Sequence, residues 1–163
     1  MATDFTSFYQ QEATRLVRSV ALATGDPGFA EDAVAEAFAR AWSRWREVSA
    51  VDRPAAWVLR VALNHTRDRF RKRGTERRKA SAVARPEASY DQESYVDVRL
   101  WDAVRDLPSQ ECTLIALRYV ADLSQPEIAA VLGIPPGTVA SRLSRARQRL
   151  GAVLGSTYQE DLK

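Results

Sequence analysis

Gln125-Pro-Glu-Ile-Ala-Ala-Val-Leu-Gly-Ile-Pro-Pro-Gly-Thr-Val139 is the stretch on which the fold turns. It sets small Ala129 inside one helical pattern, Gly133 at a tight turn and Val139 as an aliphatic anchor in the next, the layout of a helix-turn-helix. Each residue has a steric reason. Ala129 lets two helices approach, Gly133 accepts a left-handed backbone without a side-chain penalty, and Val139 packs beneath the second helix. Ser124, with Glu127 three residues later, forms a capping-box signature, and Pro126 falls in the first turn, where proline is tolerated. The second helix, about 138–153, should bury Val139, Leu143, Ala146 and Leu150. It would then turn Thr138, Ser141, Arg142, Arg145 and Arg149 outward. Arginine on such a face can fork onto guanine edges in a major groove while serine and threonine hold phosphates. The plainer reading is a basic helix face that meets only water.

Working outward, the apolar spacing of three and four residues continues, and glycine and proline are sparse at seven each, so an all-α chain is expected. Helical patterns run over about 99–106, 109–121 and 125–132 before the last helix. In the first half, a helix from Phe5 to about Ala21 carries Phe5, Phe8, Tyr9, Ala13, Leu16, Val17 and Val20 on one stripe, and Gly25-Asp26-Pro27-Gly28 ends it. The next, about Phe29 to Trp45, sets Val34, Phe38, Ala41, Trp42 and Trp45 inward, with Asp32, Glu36 and Arg40 on a charged outer stripe. Pro54 opens a third helix toward Arg73, with Val58, Leu59, Ala62, Leu63, Thr66 and Phe70 inside. Its outer residues Arg60, Asn64, Arg67 and Arg71 share one line of the helix surface. The four tryptophans read as packing anchors. Residues 76–98 are basic at first and acidic later with few large apolar groups, which reads as a flexible linker.

The net charge of +3 conceals two basic clusters. Arg67 to Lys79 holds eight basic residues against Asp68 and Glu76, and Arg142, Arg145, Arg147 and Arg149 contain no acid between them. Two separated clusters fit two contacts with a polyanion. One cysteine and one histidine cannot supply the ligands of a zinc site, so no metal or cofactor is expected. Cys112 reads as a buried, inert thiol with only Arg118 near enough to lower its pKa. No apolar run approaches the roughly 20 residues of a membrane span, and no secretory signal opens the chain, so a cytoplasmic location without membrane insertion is expected.

Several further stretches carry a resemblance. They are Ala30-Glu-Asp-Ala-Val-Ala-Glu-Ala-Phe-Ala-Arg-Ala-Trp42, Arg53-Pro-Ala-Ala-Trp-Val-Leu-Arg-Val-Ala-Leu-Asn-His-Thr-Arg-Asp68, Leu107-Pro108, Leu117-Arg-Tyr119 and Leu123-Ser124 through Thr138-Val-Ala-Ser-Arg-Leu-Ser-Arg-Ala-Arg147. In this order and over nearly the whole chain, they resemble the extracytoplasmic-function group of bacterial RNA polymerase sigma factors. The resemblance implies two small helical domains: sigma region 2 over 1–75 and sigma region 4 over 99–163, joined by the linker 76–98. It implies a sigma factor that binds core RNA polymerase and promoter DNA, with an anti-sigma factor as a candidate further partner. Asp32, Glu36 and Arg40 match the surface that docks on the clamp helices of the largest polymerase subunit. Arg60, Asn64, Arg67 and Arg71 match the minus-ten reader, with the loop Val48 to Arg53 as the candidate base pocket and Trp45 and Trp57 beside it as candidates to assist strand separation. Thr138, Ser141, Arg142, Arg145 and Arg149 match the minus-thirty-five reader. The chain departs from the family at Pro135-Pro136, where a polar capping residue is common, and at Cys112, where a long residue is common.

Two other classes make different demands. A plain helix-turn-helix regulator would bind a duplex site alone, as a symmetric dimer reading two half-sites. An enzyme acting on DNA would need a nucleophile, a base or a metal-binding carboxylate cluster, and the sequence has no such motif, so no catalytic residue is assigned.

Overall fold

The structure, a computed structural model, describes residues 4–73 and 95–155, with side chains over 4–65 and 98–155. The described residues form helices in the order α1 Phe5–Thr24, α2 Pro27–Ser43, α3 Trp45–Val48, α4 Pro54–Arg73, α5 Tyr95–Arg105, α6 Ser109–Ile115, α7 Gln125–Leu132 and α8 Pro136–Leu154. A π-helical turn, Ala116–Val120, continues α6.

Local chemistry sets most of these boundaries. Gly25 adopts φ 71° after α1 and donates its N–H to Ala21 O. Asp26 then caps α2 by accepting from Phe29 N at 3.0 Å, and Pro27 takes the first helical position. Ser124 N donates to Glu127 Oε2 at 2.7 Å and Glu127 N to Ser124 Oγ at 3.3 Å, which completes the expected capping box of α7. Gly133 has φ 66°, as the tight turn requires. α8 starts at Pro136 rather than near Thr138, since the fixed proline angle suits a first turn and Pro135 O accepts from both Thr138 N and Val139 N.

α1, α2 and α4 pack together in the first half, and α5 to α8 do so in the second. Leu16, Val20, Val34, Val58, Leu59 and Ala62 fill the first bundle, while Leu114, Ile115, Leu117, Ile128, Val139, Leu143 and Leu150 fill the other. Burying each large aliphatic side chain is worth about 1.5–3 kcal/mol. The halves also meet: α1 packs on α6 and the π turn, and α4 on α7, so one apolar cluster runs through both.

Four expectations need correction. Trp42 is 69% exposed instead of inside, because it lies at the edge of the bundle, where its ring stacks on Phe5 in the first turn of α1. Trp45 does not close α2 but opens α3, since the chain leaves helical angles at Arg44, and this turns its ring onto Phe8 at 5.1 Å. The last residues of the stretch read as a linker are helical, α5 beginning at Tyr95; the linker over 76–94 lies outside the described residues. The cation that acts on Cys112 is Arg105, not Arg118, because α5 lies against α6.

Candidate nucleic acid and partner surfaces

The second helix of the helix-turn-helix is held by its inner face, where Val139, Leu143, Ala146 and Leu150 are all buried, as their spacing predicts. Ser141, Arg145 and Arg149 are exposed, and Thr138 and Arg142 are half-buried at the edge of the same face. Two of the four clustered arginines are tied within the bundle. Arg147 Nε donates to Tyr119 Oη at 2.9 Å. Arg149 Nε lies 3.1 Å from Glu111 Oε2, an oxygen that no hydrogen bond of good geometry reaches, and Glu111 is 6% exposed. Among the described residues, no ion pair engages Arg142 or Arg145. The face therefore presents a cation, a hydroxyl and backbone, the groups that contact base edges and phosphate. It also exposes Ala140, Ser144 and Gln148, of which Ser144 lies three residues after Ser141 and Gln148 three after Arg145.

On α4, Arg60 and Asn64 are exposed one turn apart. Arg67 and Arg71 lie on its last turns, outside the residues whose side chains are described. His65 is half-buried, its ring 6.5 Å from that of Phe29. Ahead of α4, a groove of about 400 Å³ is lined by Phe8, Gln11, Trp45, Ser49, Asp52 and Arg53. Val48, named with this loop, is instead 2% exposed and belongs to the core, so the groove wall starts at Ser49. Trp45, expected near this loop, stands in the groove wall together with Phe8. Their place follows from α3, which the sequence reading had merged into the preceding helix.

On α2, Asp32, Glu36 and Arg40 are all exposed, with Arg40 Nε 3.0 Å from Glu36 Oε1. The i, i+4 spacing that sets this pair also places Asp32 one turn earlier on the same line. Trp42 extends that surface with an exposed ring stacked 6.2 Å from Phe5.

Glu127 and Cys112 are shifted in opposite directions. Burial pushes the Glu127 carboxyl up, but the Ser124 hydrogen bonds and the Arg53 guanidinium outweigh it and hold the carboxyl below its ordinary value. Burial pushes the Cys112 thiol up to about 11, against a smaller opposing pull from Arg105. No His, Cys, Asp and Glu cluster able to hold a metal ion exists among the described residues, and no helix there is long and apolar enough to cross a membrane.

Residues 8–76 match the family model described as Sigma-70 region 2, and residues 97–150 the one described as Sigma-70, region 4. The chain is 30% identical over 150 residues to the RNA polymerase sigma-E factor of Streptomyces coelicolor, covering 90% of this chain and 84% of that one. It is 31% identical over 136 residues to the ECF RNA polymerase sigma factor SigW of Bacillus subtilis, covering 74% and 73%. Among solved structures it is similar to the sigma factor RpoE of Bartonella quintana in complex with the anti-sigma factor NepR. That match has a TM-score of 0.66 at 25% identity over 91% of this chain and 97% of the other.

Proposed function

Since the chain belongs to the extracytoplasmic-function group of the sigma-70 family of RNA polymerase sigma factors, we propose a division of labour among its helix faces. It is a promoter-recognising factor that directs transcription initiation, a regulatory rather than a catalytic part. Region 2, residues 1–75, docks on core RNA polymerase through Asp32, Glu36 and Arg40 and reads the minus-ten element through Arg60, Asn64, Arg67 and Arg71. Asn64 supplies an amide that can hydrogen-bond an exposed base edge once that base leaves the stack, a step that costs a few kcal/mol. The groove at Ser49 to Arg53 receives that base, with Trp45 in its wall. Region 4, residues 99–163, reads the minus-thirty-five element as duplex. Ser141 and Arg145 face the groove floor, and Thr138 and Arg142 face its phosphate edge. Arg149 was expected on the same face; its contact with Glu111 gives it the part of holding the helix in place. Residues 76–94 join the two regions, since α5 begins at Tyr95.

This factor works in the cytoplasm with core polymerase and promoter DNA, and an anti-sigma factor is a fitting partner, as NepR is for RpoE. The observation that carries the assignment is the coexistence of outward-facing Arg60 and Asn64 on one helix with outward-facing Ser141 and Arg145 on another. Promoter-directed runoff transcription with core enzyme tests it. Asn64→Ala should impair minus-ten use while leaving duplex binding by region 4 intact, and Arg145→Ala should lose about 1–3 kcal/mol of minus-thirty-five discrimination. Unchanged transcription by both variants would overturn the assignment.

A further inference from the structure

We propose that the groove ahead of α4 admits a base that carries an exocyclic amine and turns thymine away, with Asp52 as the discriminating residue. The inference rests on the function proposed above, which seats one unstacked base in this groove, and adds which bases it takes.

Three pieces of chain meet to form the groove: the exposed side of α1 at Gln11, the Trp45 ring of α3 and the loop Ser49 to Arg53. Its aromatic wall is held by its own packing. The Trp45 ring centre lies 5.1 Å from that of Phe8 and 5.3 Å from that of Phe5. A volume of about 400 Å³ falls at the low end of the range for pockets that hold a small ligand. Such a wall suits any base, because every base has a flat face to lay against it. Selection must therefore come from the polar rim.

Most polar groups of that rim are already engaged. Arg15 donates from Nε to Glu12 Oε2 at 2.9 Å and from Nη2 to the same oxygen, so the two charges answer each other. Arg53 turns Nη1 to Glu127 Oε1 and Nη2 to Asp122 O, both at 3.3 Å. The Ser49 hydroxyl donates to Arg46 O at 3.4 Å. Gln11 and Asp52 are exposed and make no hydrogen bond or ion pair among the described residues. These two are left to meet a base.

They make different demands on it. The Gln11 amide carries donor and acceptor together and can turn to suit any edge, whereas an ionised carboxylate such as Asp52 only accepts. A carboxylate also repels phosphate, so its use beside a nucleic acid lies with donors on the base. Adenine offers its N6 amine, cytosine its N4 amine and guanine its N2 amine. Thymine has no amine. Its single N3–H stands between the O4 and O2 carbonyls, so a carboxylate that approaches it sets oxygen against oxygen. Leaving an acceptor unmet costs more than a made hydrogen bond gains, and this asymmetry is what rejects the wrong partner. Discrimination by one good base contact spans about five- to 150-fold, and exposure of Asp52 to water puts the expectation at about five- to tenfold.

The test uses holoenzyme made from the full chain and core polymerase. Promoter templates are opened in advance by mismatches across the minus-ten element, so that pairing strength does not enter. Each position of the unpaired strand carries the four bases in turn, and the templates compete for holoenzyme. At one position thymine should rank last, about fivefold or more below the weakest of the other three. Asp52→Asn keeps the size of the side chain and supplies an N–H for a thymine carbonyl, so the gap at that position should shrink to about twofold or less. Loss of the charge favours all templates together, and the ratio between bases is therefore the reading. Gln11→Ala should weaken all four alike.

Thymine within about twofold of another base at every position overturns the proposal, as does a thymine gap that Asp52→Asn leaves unchanged. A gap that closes in Gln11→Ala alone gives the choice to Gln11 and overturns the part assigned to Asp52. Initiation without any such ranking sinks this inference alone, whereas failure of the wild-type holoenzyme to initiate at any promoter sinks the functional reading with it.

Discussion

Arg149→Ala separates two parts that one arginine can play. The side chain of Glu111 is 8% exposed and that of Arg149 is 58% exposed, with 3.1 Å between Oε2 and Nε. Stripping the partner from a fully buried ion pair costs about 3–5 kcal/mol, because the remaining charge is left uncompensated. Arg149 is more than half in water, which screens the pair and reduces the expected loss to about 1–3 kcal/mol. Urea unfolding followed by circular dichroism should therefore show a midpoint lower by roughly 0.5–1.5 M, taking a slope of about 2 kcal/mol/M. Glu111→Gln in the same chain removes the orphaned charge, so the double variant should recover much of the loss, with a coupling of about 1 kcal/mol or more.

DNA binding supplies the contrasting readout. An arginine on a phosphate contributes about 0.9 to the slope of log affinity against log salt, so a residue engaged by Glu111 leaves that slope unchanged when removed. Arg145→Ala should differ by altering DNA binding without the loss of stability. A coupling below about 0.3 kcal/mol, or a salt slope reduced by about 0.9 in Arg149→Ala, would refute this reasoning and return Arg149 to the DNA face.

Gly133→Ala should destabilise the chain by about 1–2 kcal/mol, visible as a lower melting temperature. Its φ is 66° and nothing stands within 4 Å of the added carbon, so backbone strain alone is measured. The Cys112 thiol, held near 11 against an ordinary 9.0, adds pH dependence with a definite sign. Its folded-state pKa is the higher one, so its contribution is fully present below pH 9 and lost as pH rises toward and past 11. Denaturant titrations across that range should show a loss of about 2–3 kcal/mol in the wild type that Cys112→Ala lacks.

Where one helix face meets one core, spacing along the chain was sufficient. Val139, Leu143, Ala146 and Leu150 are buried as their intervals require, and so are Val58, Leu59, Ala62 and Leu63. The Ser124–Glu127 capping box and the left-handed Gly133 were equally legible, because each is decided within four residues of backbone. Asp32, Glu36, Arg40, Arg60 and Asn64 could be placed outside for the same reason.

What the chain alone could not disclose depends on partners far apart in sequence. Trp42 fits an inward stripe by spacing, yet it is exposed at the edge of the bundle, where its ring stacks on Phe5 in the first turn of α1. Arg149 belongs to the basic face by periodicity, but Glu111, 38 positions earlier, holds it through a fold-made approach of α6 to α8. Cys112 and Thr113 meet Leu22 and Ala23 across 90 residues, and Arg53 meets Glu127 and Asp122 in the same manner. Periodicity fixes which side of a helix is apolar, since it depends on 3.6 residues per turn; which helix covers that side depends on three-dimensional packing, to which local sequence has no access.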